Sequence, residues 1–76
     1  MATTIVFTKN NCSQCDATKR KLKDLNVEFD EINIEDNPEY LTKLKEMGFR
    51  SAPVVLTPSG AWSGFNEAKI NEVFGN

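Results

Sequence analysis

The most constraining feature of the chain is the stretch Cys12-Ser13-Gln14-Cys15, which holds its only two cysteines. Upstream, Thr4-Ile5-Val6-Phe7-Thr8 is short, β-branched and aromatic, the composition of a buried strand. Downstream, Cys15, Thr18, Leu22 and Leu25 recur at the three-to-four spacing of one helix face. The pair is therefore predicted at a strand-to-helix junction. Asn11 is the expected N-cap, with Gln14 at N3 reaching back to close a capping box. Cys12 then falls at N1, among unpaired backbone N–H groups at the positive end of the helix dipole. Cys15 lies one turn deeper on the same face.

The chemistry follows from that placement. A thiolate is the reactive form of cysteine, and a helix N-terminus favours it over the thiol. Each pKa unit of lowering corresponds to about 1.4 kcal/mol of preferential thiolate stabilisation. Lys9, three residues upstream, either adds to the effect or points to solvent. On this reading Cys12 attacks and Cys15 resolves, in two successive exchanges through a mixed disulfide. Other readings use the same pair. A structural disulfide here closes only a four-residue loop, worth about 2 kcal/mol by chain entropy. A structural zinc site needs about four ligands, and the chain has no histidine and no third cysteine. A metal-carrier domain, a binding module rather than an enzyme, also sets two cysteines between a first strand and a first helix. Spacing and context favour redox exchange.

Seventy-six residues suit a single domain, 1–76, which buries about 60–65% of its unfolded surface. Hydrophobic content of 39% with 26% charged residues is that of a soluble globular domain. A net charge of −2 argues against nucleic acid or an anionic membrane as partner. No apolar run reaches membrane-spanning length, and no basic segment followed by an apolar one opens the chain. The expected compartment is the reducing cytoplasm, where a cysteine pair is more often catalytic than structural.

The remaining elements follow in order. Helix one runs from about Ser13 to Leu25 and stops at Asn26, with Asp16 near its start and Lys19, Arg20, Lys21 and Lys23 further on. Those basic residues read as a solvated face or a docking patch beside the cysteines. Val27 to Ile34 is the second strand. Val27 and Phe29 share one phase and Ile32 and Ile34 the other, as in a strand buried on both faces of a helix-covered sheet. Between Glu28 and Glu39 stand six acidic residues and no basic one. Asn37-Pro38 opens helix two, whose apolar stripe is Tyr40, Leu41, Leu44 and Met47. Gly48 at C′ ends it, and Phe49 packs back on Leu44. Pro53 precedes strand three, Val54 to Thr57, where no ladder donor is needed. Pro58-Ser59-Gly60 turns into a short fourth strand, Ala61 to Ser63. Asn66 caps a last helix, with Phe65 and Ile70 placed as a hydrophobic staple and Ile70, Val73 and Phe74 on its buried face. The order βαβαββα predicts an α/β fold, a four-stranded mixed sheet with three helices and the cysteines at the C-terminal end of strand one. A ferredoxin-like metal carrier has a hairpin, not a second helix, in the middle of the chain.

Phe7-Thr8-Lys9 leading into Cys12-Ser13-Gln14-Cys15, then Gly48-Phe49-Arg50-Ser51-Ala52-Pro53-Val54-Val55 and Trp62-Ser63-Gly64-Phe65, resemble an NrdH-type redoxin. These are glutaredoxin-sized members of the thioredoxin superfamily, and the resemblance runs along essentially the whole chain. It implies a thioredoxin-like fold and a thiol–disulfide oxidoreductase. Such a protein carries electrons from thioredoxin reductase and NADPH to the large subunit of class Ib ribonucleotide reductase. It also implies a monomer with no cofactor beyond a redox-active Cys12–Cys15 disulfide, and no resident metal. Carried over by position, Cys12 is the nucleophile and Cys15 the resolver. Pro53 matches the cis-proline facing the cysteines, and Ala52 supplies backbone for a substrate strand. Ser13 and Gln14, with Trp62, Ser63, Gly64 and Phe65, belong to the partner-binding surface, where Trp62 and Phe65 are platform aromatics or core filler.

The chain departs from the pattern in two places. Ser13 stands where Val or Met is usual, and Asn66-Glu67-Ala68 where Arg-Pro-Asp is usual. Both bear on the identity of the partner more than on the redox chemistry. A glutathione-using glutaredoxin is the nearest alternative. Those proteins resemble this one in fold but carry Pro-Tyr between the cysteines, Thr-Val before the proline and a Gly-Gly-x-Asp turn that holds a glutathione carboxylate. The matching positions here are Ser13-Gln14, Ser51-Ala52 and Ser63-Gly64-Phe65-Asn66.

Overall fold

Strand β1 (Thr4–Thr8) organises the sheet, pairing parallel with β2 (Phe29–Asn33) on one side and antiparallel with β3 (Val54–Thr57) on the other. β4 (Gly60–Ser63) pairs antiparallel with β3 and completes the order β2-β1-β3-β4. Helices α1 (Ser13–Asp24), α2 (Pro38–Glu46) and α3 (Glu67–Phe74) supply the connections and the C-terminal element. The order is βαβαββα, as the sequence predicts. These elements come from a computed structural model that describes residues 3–75. Met1, Ala2 and Asn76, included in the expected domain, lie outside the described residues.

Alternation along the strands divides the core in two. Val6, Val55 and Trp62 face α1 and α3 and pack with Leu22 and Ile70. Phe7 and Val54 face the other way, toward Ile34 and α2, whose Leu44, Tyr40 and Leu41 cover them. The phase change read in the second strand has its counterpart here, because Val27 and Phe29 join the first cluster and Ile32 and Ile34 the second. The strand itself is shorter than read. Val27 N–H is used to close α1, donating to Leu22 O at 2.9 Å, so the ladder begins only at Phe29. β2 is also an edge, and exposed Asp30 and Glu31 give it the charge that discourages pairing with another chain. At the other edge β4 gains a residue, since Gly60 pairs with Thr57 across a two-residue turn.

Both long helices end in Schellman geometry. Asn26, at φ 59°, turns the chain after α1, and its N–H donates to Lys23 O at 3.0 Å. After α2, Gly48 at φ 94° does the same, with Gly48 N–H on Lys45 O at 3.0 Å and Phe49 N–H on Leu44 O at 2.9 Å. That turn swings Phe49, not Met47, over Leu44, and Met47 is left 52% exposed. The stripe of α2 therefore ends at Leu44. Asn37 occupies the N-cap of α2, but its side chain donates to Asn33 O and caps nothing. Asn66 caps α3 through Lys69 N–H at 3.0 Å. The staple read between Phe65 and Ile70 does not form. Ile70 is in the core, whereas Phe65 is 39% exposed and outside both clusters.

Charges lace the face beneath α1. Glu31 accepts from the buried Thr8 hydroxyl at 2.9 Å and from Lys19 Nζ at 3.0 Å, and Lys19 also lies 3.8 Å from Asp16. Lys21 faces Glu67 on α3 at 3.9 Å, so two of the four basic residues of α1 are held within the molecule. Partial burial of Glu31 raises its pKa, but the Lys19 and Thr8 hydrogen bonds and the charges of Lys19 and Lys23 outweigh it, and the net shift is downward.

A group whose folded pKa is depressed stabilises above its unfolded pKa and loses that contribution as pH falls through the folded one. Glu31→Gln is therefore expected to destabilise at neutral pH by about 0.5 kcal/mol, a small value because solvent screens a partly exposed pair. The penalty shrinks as pH falls through the lowered pKa of Glu31. Urea unfolding at several pH values measures it, and a penalty independent of pH contradicts the pairing. Gly48→Ala meets no atom within 4 Å but must keep a positive φ, at a cost of about 1–2 kcal/mol. The urea midpoint falls with an unchanged m-value.

Candidate active site

The end of β1 delivers the chain to α1 through Lys9, Asn10 and Asn11. A polar clamp holds this loop to the segment after β2. Asn33 Nδ2 donates to Asn10 Oδ1 at 2.9 Å, Asn10 N–H donates to Glu35, and Glu35 N–H donates to Asn33 Oδ1 at 2.8 Å. Ile34 N–H on Thr8 O at 2.8 Å continues the β1–β2 ladder up to the clamp.

Asn11 is not the cap of α1. It sits in the left-handed region at φ 55°, and Cys12, extended at φ −119° and ψ 100°, is the N-cap. Cys12 Sγ accepts from Cys15 N–H at 3.1 Å, taking the place a hydroxyl or carboxylate oxygen has in an ordinary cap. The capping box is absent as well, because Gln14 turns toward Phe65 and not back along the helix. An orphan helix donor points straight at the sulfur, and a thiolate there receives a charge-assisted hydrogen bond.

Cys12 and Cys15 form a disulfide with Cα atoms 5.2 Å apart. Cys15 is 1% exposed and packs against Phe7 and Ala52, while Cys12 is partly open. Above Cys12 lies a groove of about 320 Å³, lined by Lys9, Asn11, Ser13 and Gln14 on one side and Ser51 and Ala52 on the other. The Ala52–Pro53 peptide bond is cis, and Pro53 is buried. Pro53 O accepts from Gly64 N–H at 2.8 Å, which seats the loop after β4 beside the site. Gln14 Oε1 meets the same loop, 3.4 Å from Phe65 N.

The predicted site residues thus separate into two sets. Ser13, Gln14, Ala52, Pro53, Gly64 and Phe65 gather around the cysteines. Trp62 does not offer a platform, since it pairs with Val55 and shares that residue's inward face, leaving it 7% exposed. Its indole Nε1 is buried with no hydrogen-bond partner among the described residues. Ser63 is exposed on the edge strand and lies outside the groove lining. Sequence reading missed Asn11 and Ser51 as groove residues and the Asn10–Asn33–Glu35 clamp. Two asparagines just before a cysteine were a signal for the loop. Nothing local marks Asn33 or Glu35, which reach it only through strand pairing. Among the described residues, no group of three or more His, Cys, Asp or Glu side chains is placed to hold a metal ion.

Comparison with known proteins agrees with this geometry. The glutaredoxin family model matches residues 4–58, from β1 through the start of the β3–β4 turn. The chain is similar to the glutaredoxin-like protein NrdH of Lactococcus lactis, with 46% identity over 86% of this chain and 90% of that one. It is 40% identical to the glutaredoxin-like protein NrdH of Escherichia coli, over 90% of this chain and 84% of that one. The solved NrdH-redoxin of Escherichia coli superposes with a TM-score of 0.88 at 38% identity, covering 92% of each chain. A cysteine pair set at a helix start, in this fold and with these relatives, is the site of a thiol–disulfide oxidoreductase, and the chain belongs to the glutaredoxin family as an NrdH-type redoxin.

Proposed function

We propose that this redoxin carries electron pairs from thioredoxin reductase and NADPH to a protein disulfide, that of the class Ib ribonucleotide reductase large subunit. The observation that carries the proposal is the unequal burial of the two sulfurs, with Cys12 open to the groove and Cys15 closed off. Cys12 is the nucleophile, stabilised as a thiolate by Cys15 N–H. It attacks one sulfur of the partner disulfide, forming a mixed disulfide and releasing the partner's other sulfur as a thiolate. The Cys15 thiolate then attacks Cys12 Sγ, closing the intramolecular disulfide and releasing the second partner thiolate. Two electrons leave the redoxin, and the partner thiolates take up protons from solvent. Reduction by the flavoenzyme runs the same exchange in the opposite sense.

The partner surface is the groove with its two walls. Ala52 offers backbone to an extended partner segment, and Ser13, Gln14 and Gly64 border it. Phe65 is the exposed aromatic beside it, the residue type on which interface energy concentrates. The choice of a protein reductase over glutathione rests on the loop sequence Ser63-Gly64-Phe65-Asn66, which carries no acidic side chain. The Escherichia coli NrdH-redoxin, described by its thioredoxin-like activity profile, supports the same choice. The departures at Ser13 and Asn66-Glu67-Ala68 fall in the groove and at the start of α3, where they bear on which partner docks. No helix of the described residues is long and apolar enough to cross a membrane. The protein acts as a cytoplasmic monomer with the disulfide as its only redox centre.

Cys15→Ser is expected to accumulate a trapped mixed disulfide with the partner through Cys12, and Cys12→Ser to trap little. Non-reducing electrophoresis followed by mass spectrometry reads the adduct, and equal trapping by both variants reverses the assignment. The second-order rate of reduction of the oxidised protein at matched pH is expected to be at least about tenfold higher with thioredoxin reductase than with glutathione, the worth of one charge-assisted hydrogen bond. Comparable or faster reduction by glutathione places the protein with the glutathione-dependent glutaredoxins.

A further inference from the structure

We infer that Asn33 is a positioning residue for the attacking sulfur. Through Asn10 it holds the loop before α1, so that Cys12 keeps its place at the helix cap once the Cys12–Cys15 bond is broken. The inference rests on the reading of Cys12 as the nucleophile. In the oxidised protein the disulfide itself ties Cys12 Sγ to Cys15. In the dithiol that tie is gone, and what remains between the two residues is one hydrogen bond, Cys15 N–H on Cys12 Sγ at 3.1 Å. The chain just upstream works against it. Asn11 sits at φ 55°, in the left-handed region that side-chain-bearing residues enter at a cost. Relaxation of Asn11 to negative φ redirects Cys12 and takes its sulfur off the helix donor.

Asn33 opposes this from a fixed seat. It is the last residue of β2, in register with Thr8, and its carbonyl accepts Asn37 Nδ2 at 3.0 Å and Asp36 N–H at 3.2 Å. Its side chain uses both ends of the amide. Oδ1 accepts Glu35 N–H at 2.8 Å, and Nδ2 donates to Asn10 Oδ1 at 2.9 Å. A main-chain N–H only donates, so the amide has one orientation and its NH2 group is left for Asn10. The Glu35 carboxylate closes the ring on Asn10 N–H. Asn10 is thus held by main chain and side chain at once, and Asn11 is fixed between it and the helix. Aspartate at position 33 lacks the donor and alanine lacks both groups.

The titratable groups around Cys12 are Lys9 in its own loop, Cys15 and Asp16 on α1, Glu35 in the clamp, and Tyr40 of α2, which packs on the same core cluster. Ser51 and Ala52, across the groove, carry no charge. Asn33→Ala and Asn10→Ala leave every one of these groups in the chain. A change in the readiness of Cys12 to ionise therefore reports where its sulfur stands, not a charge added or removed.

The test is the pH profile of alkylation of the fully reduced, full-length protein by iodoacetamide. The Cys12 thiolate attacks the CH2 carbon, a carbon–sulfur bond forms and iodide leaves. Below its midpoint the rate follows the thiolate fraction, and above it the rate levels off. Asn33→Ala is expected to react about two- to tenfold more slowly below the midpoint, the worth of one ordinary hydrogen bond, and to reach a similar plateau. Its midpoint therefore moves up. Asn10→Ala, at an exposed position and with its N–H still on Glu35, moves it the same way. The double variant goes no further than Asn33→Ala, because both act through one contact. Val73→Ala loosens the other core cluster and leaves the profile in place. A midpoint unmoved in Asn33→Ala, moved equally in Val73→Ala, or moved by the sum of the single effects in the double variant overturns the inference and leaves Cys12 as the nucleophile. Mass spectrometry identifies the alkylated sulfur, and Cys15 modified first in the wild type overturns the nucleophile reading whatever the variants do.

Discussion

The first N–H groups of a helix have no partner inside the helix, and something must receive them. In this protein one of them is received by sulfur. Cys12 stands in extended geometry at the cap of α1, and Cys15 N–H points at its Sγ from 3.1 Å. The same bond that starts the helix therefore polarises the sulfur proposed above as the nucleophile. Folding and chemistry are served by one interaction, and for a thiolate that interaction gains strength.

The geometry around this cap comes from the sheet. β1 carries the chain to it, with β2 and β3 on either side, and residues beyond the strand ends complete the support. The Asn10–Asn33–Glu35 clamp ties the approach loop to the segment after β2. From the other side, β3 begins right after the cis-bonded Pro53, whose carbonyl anchors Gly64. The groove is thus a meeting of two segments far apart in sequence. One sulfur is left open and the other is sealed into the core cluster of Phe7, Ile34 and Leu44.

Two charged residues show how context reassigns a surface. Lys19 lies on the helix that starts at the cysteines and reads locally as part of a basic docking patch. In the fold it is bound to Glu31 of β2, whose carboxylate also receives the buried Thr8 hydroxyl. Its charge goes to joining helix to strand, leaving Arg20 and Lys23 with fewer neighbours to make a patch. The acidic run from Glu28 to Glu39 likewise becomes partly structural, as edge protection at Asp30 and as the clamp at Glu35.

What the sequence by itself determined is the set of features written in local periodicity and special residues. They include seven elements in order, the two-face burial of the second strand, the glycine stop after α2, the asparagine stop after α1 and the position of the cysteines at a strand-to-helix junction. Each follows from spacing or from a residue whose backbone preference acts over a few positions. Other features did not follow, among them which residue caps α1, where Trp62 points and what Gln14 touches. Asn11 and Cys12 are both able to precede a helix, and only the clamp on Asn10 and the direction of β1 place Cys12 at the cap. Trp62 has an inward or outward choice that strand periodicity leaves open until pairing with Val55 sets its face. Gln14 meets Phe65 across 51 residues. Such contacts arise when the closed sheet brings distant loops together, so no window of sequence contains both partners.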